Sequence, residues 1–345
     1  MITPALLAIS LVAAPAKAPA TPKPESAIFA VSGCADCRQA PAVVAGGAPG
    51  TFTVQWAALL NFEAFSRTFD VNGNAGSERS LQSPSKAAGV GATAGGSFVL
   101  GWERPGEIFA QRLDASGNVT GDSIHVNAGH PGGVDDDDAS IAVRSDGVFL
   151  AVWDRLRNGA PTELIARRVD PGGAAQPEVV LGQTATRSFP LACFTTSGGS
   201  VAAWTHRTEL PVGDTPSAAG ISLRRTGPDG SPAGEVVEVI APREVTWDMG
   251  LALACAPDGG FVVAWHTRVS PAKSGADIML QRFNAAGVKI GGLLRVNATV
   301  AGEQTGPALL FERDGRLLVA WASQVNGKSE IRGRRLSSKG KPAGR

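Results

Sequence analysis

Apolar and polar residues alternate with a period of two along most of the chain, which predicts short half-buried strands rather than helices. The alternation is organised in phrases that recur. Six of the seven tryptophans close the same one: GTFTVQW to Trp56, GSFVLGW to Trp102, GVFLAVW to Trp153, GSVAAW to Trp204, GGFVVAW to Trp265 and GRLLVAW to Trp321. The spacings between them are 46, 51, 51, 61 and 56 residues, the length of four short strands with connections of variable size. Each unit starts with a strand a such as Ala139 to Arg144, turns at Ser145-Asp146-Gly147, and continues into strand b, which ends on the tryptophan. Strand c carries a second phrase, as in Gln111-Arg112-Leu113-Asp114, Arg167-Arg168-Val169-Asp170 and Gln281-Arg282-Phe283-Asn284. Strand d closes the unit, most clearly as Ser123 to Asn127 and Leu293 to Asn297.

One four-stranded sheet cannot cover both of its faces, whereas six stacked radially bury each against its neighbours. The fold class predicted is therefore all-β, a six-bladed β-propeller of four-stranded antiparallel blades over residues 26–345. Its blades fall at about 39–83, 86–128, 138–182, 189–240, 249–297 and 306–345. The sixth unit stops where its strand d should begin, and Ala27 to Gly33 resembles a d segment, so an N-terminal strand over 26–33 is expected to complete the last blade and close the ring. Ahead of it, an apolar run from Ala5 to Ala14 with small residues up to Ala20 reads as a signal peptide over 1–20, and residues 21–25 as a linker. Export to the periplasm or the medium is expected. The lipobox-like Val31-Ser32-Gly33-Cys34 lies too far from the apolar stretch for a lipoprotein.

Composition agrees with many turns and few helices: glycine (43) and proline (23) are abundant, and tyrosine is absent. A net charge of +1 creates no field that would gather nucleic acid, and the basic run from Lys328 to Arg345 overlaps the last strand c and its turn. No apolar stretch is long enough for a membrane span, and nothing points beyond a monomer. Of the four cysteines, Cys34 and Cys37 are close enough for a disulfide across a tight loop. Cys193 and Cys255 occupy matching places in neighbouring repeats, which leaves a bridge and two buried thiols both open.

With its Asp-Gly turn and apolar strand b, as in Arg144-Ser-Asp-Gly-Val-Phe-Leu-Ala-Val-Trp153, the sequence resembles the repeat-built bacterial β-propellers. The resemblance implies an architecture and is nearly silent on activity. Sialidases are also six-bladed, but their Ser-x-Asp-x-Gly-x-Thr-Trp boxes are missing, and without tyrosine the chain lacks their nucleophile.

The recurring tryptophans read as packing between blades, with the strand c arginines Arg112, Arg168, Arg225, Arg282 and Arg335 stacked on those rings. Chemistry is sought where the repeats differ, on the face that carries the b-to-c and d-to-a connections. There, Asp135, Asp136, Asp137 and Asp138 form an acidic loop before the third blade that calcium would suit, although no cofactor is required. His206, His266 and Asp154 follow strand b tryptophans, and Trp247 is the one tryptophan outside the repeat phrase; these four are candidate ligand contacts. No contiguous catalytic phrase is present. The leading expectation is a non-catalytic binding or scaffold propeller for a protein, peptide or glycan. The alternative is a metal-assisted hydrolase or lyase at the mouth of the central channel.

Overall fold

The computed structural model describes residues 8–10, 43–46, 52–58, 63–70, 74–80, 86–127, 134–207, 217–245, 250–267, 275–298, 301–312, 314–325 and 328–342. They form six sheets and, among the described residues, no helix. The chain is an all-β, six-bladed propeller. In the second blade strands a to d are Lys86–Ala92, Phe98–Arg104, Glu107–Leu113 and Val119–His125. In the third they are Val134–Val143, Phe149–Arg157, Thr162–Val169 and Val179–Thr184. In the fourth they are Leu191–Phe194, Ser200–Arg207, Ser217–Thr226 and Pro232–Val245, and in the fifth Leu251–Cys255, Phe261–Thr267, Asp277–Phe283 and Lys289–Arg295. The sixth has three described strands, Glu303–Phe311, Leu317–Val325 and Lys328–Leu336. Residues 26–33, expected to supply its fourth, lie outside the described residues. In the first blade Val43–Gly46, Phe52–Ala58, Glu63–Phe69 and Arg79–Ser80 pair in order, and Ala8–Ser10 adds a parallel strand beside Val43–Gly46.

Successive blades meet along their a strands, which surround the axis, and through the b tryptophans. Trp153, Trp204 and Trp265 are fully buried, each turned toward the preceding blade. Trp204 packs on Gly182 of the third blade, where an added Cβ would sit 2.7 Å from the indole, so glycine there makes room for the ring. The Asn that ends strand d also recurs with a purpose. Asn127 accepts from Ile108 N at 2.7 Å and Asn297 from Ile278 N at 2.8 Å, so each ties the end of strand d to the start of strand c.

The strand c arginines do not stack on the tryptophans. Each reaches forward one blade and donates to backbone carbonyls of its lower turns: Arg112 to Gly147 O (2.9 Å) and Asp170 O (2.6 Å), Arg168 to Gly198 O and Pro228 O, Arg225 to Ala285 O, and Arg282 to Ser338 O. The rings beneath Arg112 and Arg168 are those of Phe149 and Phe194. Turn carbonyls have no strand partner, and a guanidinium with five donors satisfies several at once. Arg335 instead forks onto Glu312 of its own blade.

Cys193 and Cys255 are joined. Their a strands run side by side near the axis, which brings the Cα atoms to 5.7 Å and makes the bridge a covalent link between the fourth and fifth blades. Cys34 and Cys37 lie outside the described residues.

Candidate active site

The run Asp135 to Asp138 is not a solvated loop. Strand a of the third blade begins at Val134 and carries the run into the sheet, with Asp135, Asp136 and Asp137 paired to Leu156, Arg155 and Asp154. A strand can hold four carboxylates because three cations, Lys86, Arg155 and Arg187, meet them. Asp136 is 1% exposed and is held bidentately by Arg155 Nε (3.0 Å) and Nη2 (3.1 Å), with Asn127 Nδ2 donating at 2.8 Å. Arg155 donates in turn to Glu178 at 2.7 Å.

The next two residues break the alternation. The register shifts between Asp137 and Ser140, and Asp138 sits at a φ of 54°, in the left-handed region that side chains rarely adopt. Adjacent strand residues ordinarily point to opposite faces. Here the bulge turns both carboxylates toward the same two cations. Lys86 of the second blade bonds Asp137 and lies 3.5 Å from Asp138, and Arg187, in the connection entering the fourth blade, bonds Asp137 and lies 3.3 Å from Asp138. Glu103, on strand b of the second blade, completes the group, 2.9 Å from Lys86 and accepting from Ala139 N at 2.7 Å. Oxygens of Glu103, Asp137 and Asp138 lie within 4.8 Å of one another, the one such set of potential ligands among the described residues. Burial raises the carboxyls of Glu103 and Asp138 above their ordinary range, against the opposing pull of Lys86. The group stands at the start of an innermost strand, on the face that carries the variable connections.

Asp154, His206 and His266 are not brought together. Asp154 is fully buried and accepts from both Ser188 N and Ser188 Oγ. His266 Nδ1 accepts from Gly250 N (3.0 Å) and Gly306 N (3.2 Å), while the half-buried His206 faces Ser222 Oγ at 3.3 Å, its pKa lowered by burial. Asp154 and His266 therefore share a role with Glu103 and Gln55, whose Oε1 accepts from Gly89 N: a polar side chain near the end of strand b braces a backbone N–H at the start of the next blade. Trp247 lies outside the described residues.

Burial lifts the Asp154 carboxyl to about 7, more than the Ser188 hydrogen bonds lower it. A carboxyl raised in the folded state binds its proton more tightly there than in the unfolded chain, so stability falls as pH climbs from about 4 through about 7 and levels off above. The Asp154→Asn variant keeps an acceptor for Ser188 N and removes the titration. Its melting temperature is expected to fall less than that of the parent between pH 5 and pH 8. Equal slopes would show that Asp154 does not titrate in this range.

Sequence reasoning missed Glu103, Lys86 and Arg187. Glu103 alone left a signal: it occupies, directly after Trp102, the place held by Asp154 and His266 in their repeats and by alanine after Trp56 and Trp321.

No family model and no curated protein matches the chain in sequence. Solved structures do match in shape. The alpha-L-arabinofuranosidase Arb93A from Fusarium graminearum, solved with an iminosugar inhibitor, is 10% identical, with 85% of this chain and 92% of that chain covered at a TM-score of 0.52. A protein of unknown function from Dyadobacter fermentans is 12% identical over 85% and 92% of the two chains, with a TM-score of 0.50. The Hadza microbial sialidase Hz136 is 10% identical over 85% of this chain and 64% of that chain, with a TM-score of 0.51. Likeness at such identity establishes the fold. It gives no support to the expectation of a non-catalytic binding or scaffold propeller: those of these propellers with a stated activity are an arabinofuranosidase and a sialidase. Two members of the group, Asp137 and Asp138, are adjacent in the sequence, but Glu103, Lys86 and Arg187 come from other parts of the chain, so no contiguous phrase marks the whole group.

Proposed function

We propose that the chain is a hydrolase of glycosidic bonds, acting at the mouth of the propeller channel through Asp137 and Asp138. The observation that carries this reading is the bulge that turns two consecutive carboxylates onto one pair of cations. The glycosidase activities of similarly folded propellers support it. Glycoside hydrolysis needs one carboxyl that keeps a proton for the leaving oxygen and one that is ionised to meet the sugar carbon. Asp138, raised by burial, is suited to the first role. Asp137, bonded by both Lys86 and Arg187, is suited to the second. Oxygens within 4.8 Å are closer than the roughly 6.5–9.5 Å between the carboxyls of an inverting enzyme, so retention of configuration is expected.

Glu103, Asp137 and Asp138 could also hold a hard cation in exchange for Lys86, the metal-assisted form of the same reading. The disulfide between Cys193 and Cys255 accords with work in an oxidising compartment and hence with export. The test is a panel of aryl glycosides, α-L-arabinofuranosides among them, with and without EDTA. Turnover is expected to fall by about 100-fold or more in Asp138→Asn and Asp137→Asn. Turnover that survives EDTA supports the acid–base form, and turnover lost to EDTA the metal-assisted one. Variants as active as the parent would overturn the assignment.

A further inference from the structure

Two non-glycine residues among those described have a left-handed backbone, and both belong to one locality. Asp138, at φ 54°, is one of the paired carboxylates. Phe189, at φ 48°, stands two residues beyond Arg187, whose guanidinium reaches Asp137 and Asp138. For a bulky side chain this backbone is an outlier. The residue that follows is Pro190, and a proline pushes its predecessor toward extended conformations, so Phe189 departs from preference twice.

The conformation is imposed. Ser188 is fully buried; its N–H and hydroxyl donate to Asp154, and its carbonyl accepts from Thr205 N at 3.0 Å and Thr205 Oγ1 at 2.9 Å. Asp154 also receives a hydrogen bond from the backbone of Phe189. The ring that this arrangement holds stays half in solvent: Phe189 is 52% exposed, whereas the phenylalanines of the repeats, such as Phe149 and Phe261, are buried. Strain maintained by buried polar groups around a side chain left half in solvent is what ligand clamps show.

An exposed aromatic ring beside a charged group presents one apolar face with hydrogen-bonding groups at its edge. A sugar ring matches that layout, with C–H groups on its face and hydroxyls around its rim. We infer that Phe189 is a stacking platform for a sugar ring of the substrate and that Arg187, on the same strap, binds the hydroxyls at its edge, in a site whose ligand is an oligosaccharide. The inference rests on the glycosidase reading, which it deepens by naming a residue that positions the substrate. Arg187 has a double part, since it also bonds Asp137.

The experiment separates the two claims. Binding is measured by calorimetry with arabino-, xylo- and gluco-oligosaccharides of about six units, in an Asp138→Asn background chosen to slow turnover. In that background Phe189→Gly, which removes the ring and suits the backbone, is expected to weaken the best ligand by about tenfold, while Phe189→Trp holds it. In the active protein Phe189→Gly should raise KM and leave kcat unchanged. The melting temperature of Phe189→Gly is expected to equal or exceed that of the parent, which a residue needed for packing would not allow. Unchanged affinity in Phe189→Gly would overturn the platform even if Asp138→Asn abolishes turnover. Weakened affinity with turnover unaffected by Asp137→Asn and Asp138→Asn would keep the platform and sink the catalytic assignment. Failure of every oligosaccharide to bind at millimolar concentration would overturn the platform.

Discussion

Asp136→Ala is expected to lower the free energy of unfolding by about 3–5 kcal/mol, because it strands the buried Arg155 guanidinium. The carboxylate is 1% exposed and meets Arg155 through two bonds, of 3.0 and 3.1 Å. Burial alone would lower the Arg155 pKa; the bonds to Asp136 and Glu178 outweigh it and hold the group charged. Without Asp136 the cation keeps Glu178, the Trp153 ring at 5.8 Å, and a site built for two partners. The loss is in the charge left behind rather than in the bond removed, and this distinguishes the explanation from a simple count of hydrogen bonds. The double variant Asp136→Ala with Arg155→Met should be less destabilised than Asp136→Ala alone. Urea denaturation reads both, as a shift in midpoint at unchanged slope. A change below about 1 kcal/mol in the single variant would mean that water reaches the pair.

The second large effect belongs to the Cys193–Cys255 bridge. It closes a loop with a sequence separation of 62 residues, for which the chain-entropy relation gives about 4 kcal/mol. The double variant Cys193→Ala with Cys255→Ala, or the parent under reducing agent, is expected to melt several degrees lower. A propeller gains from such a link because each sheet is held mainly by its two neighbours, and the bridge fixes one of those contacts from inside the ring. If the variant melts with the parent, the contact between the fourth and fifth blades is sufficient through packing alone. The cluster of Val201, Ile221, Phe261 and Trp265 would then supply it.

The architecture was legible because it is written six times. The Trp-ending phrase, the Asp-Gly turns and the two-residue alternation each predict the same strand, and agreement between levels is what specifies a fold. The bridge was not legible, since the convergence of the a strands at the axis is a property of the closed ring and of no single repeat. The site was legible only in outline. The acidic run was correctly seen as unusual, but its placement in a loop was wrong, because the alternation rule has no term for a salt bridge such as Asp136 to Arg155 that lets a strand bury a carboxylate. Lys86, Glu103 and Arg187 are ordinary residues in sequence. They become a group through contacts between distant parts of the chain, 51 residues apart from Lys86 to Asp137 and 50 from Asp137 to Arg187. Asp154 and His266 depart from alanine after their tryptophans, which in sequence marks them as candidate contacts; what the structure adds is that each braces the backbone of the following blade.

The forward-reaching arginines divide the molecule's freedom to change. Arg112, Arg168, Arg225 and Arg282 each grip carbonyls in turns of a neighbouring blade, so a residue inserted into one of those turns would unhook a strap anchored elsewhere in the chain. Lengthening on that face is therefore penalised twice, once in the altered blade and once in the one before it. Among the described residues, the b-to-c connection at Gly106 on the opposite rim is held by Asn127 of its own blade rather than by an arginine of a neighbouring one. Grafted peptides or whole domains belong there, and any diversification of ligand choice has that rim as its open ground while the underside stays locked.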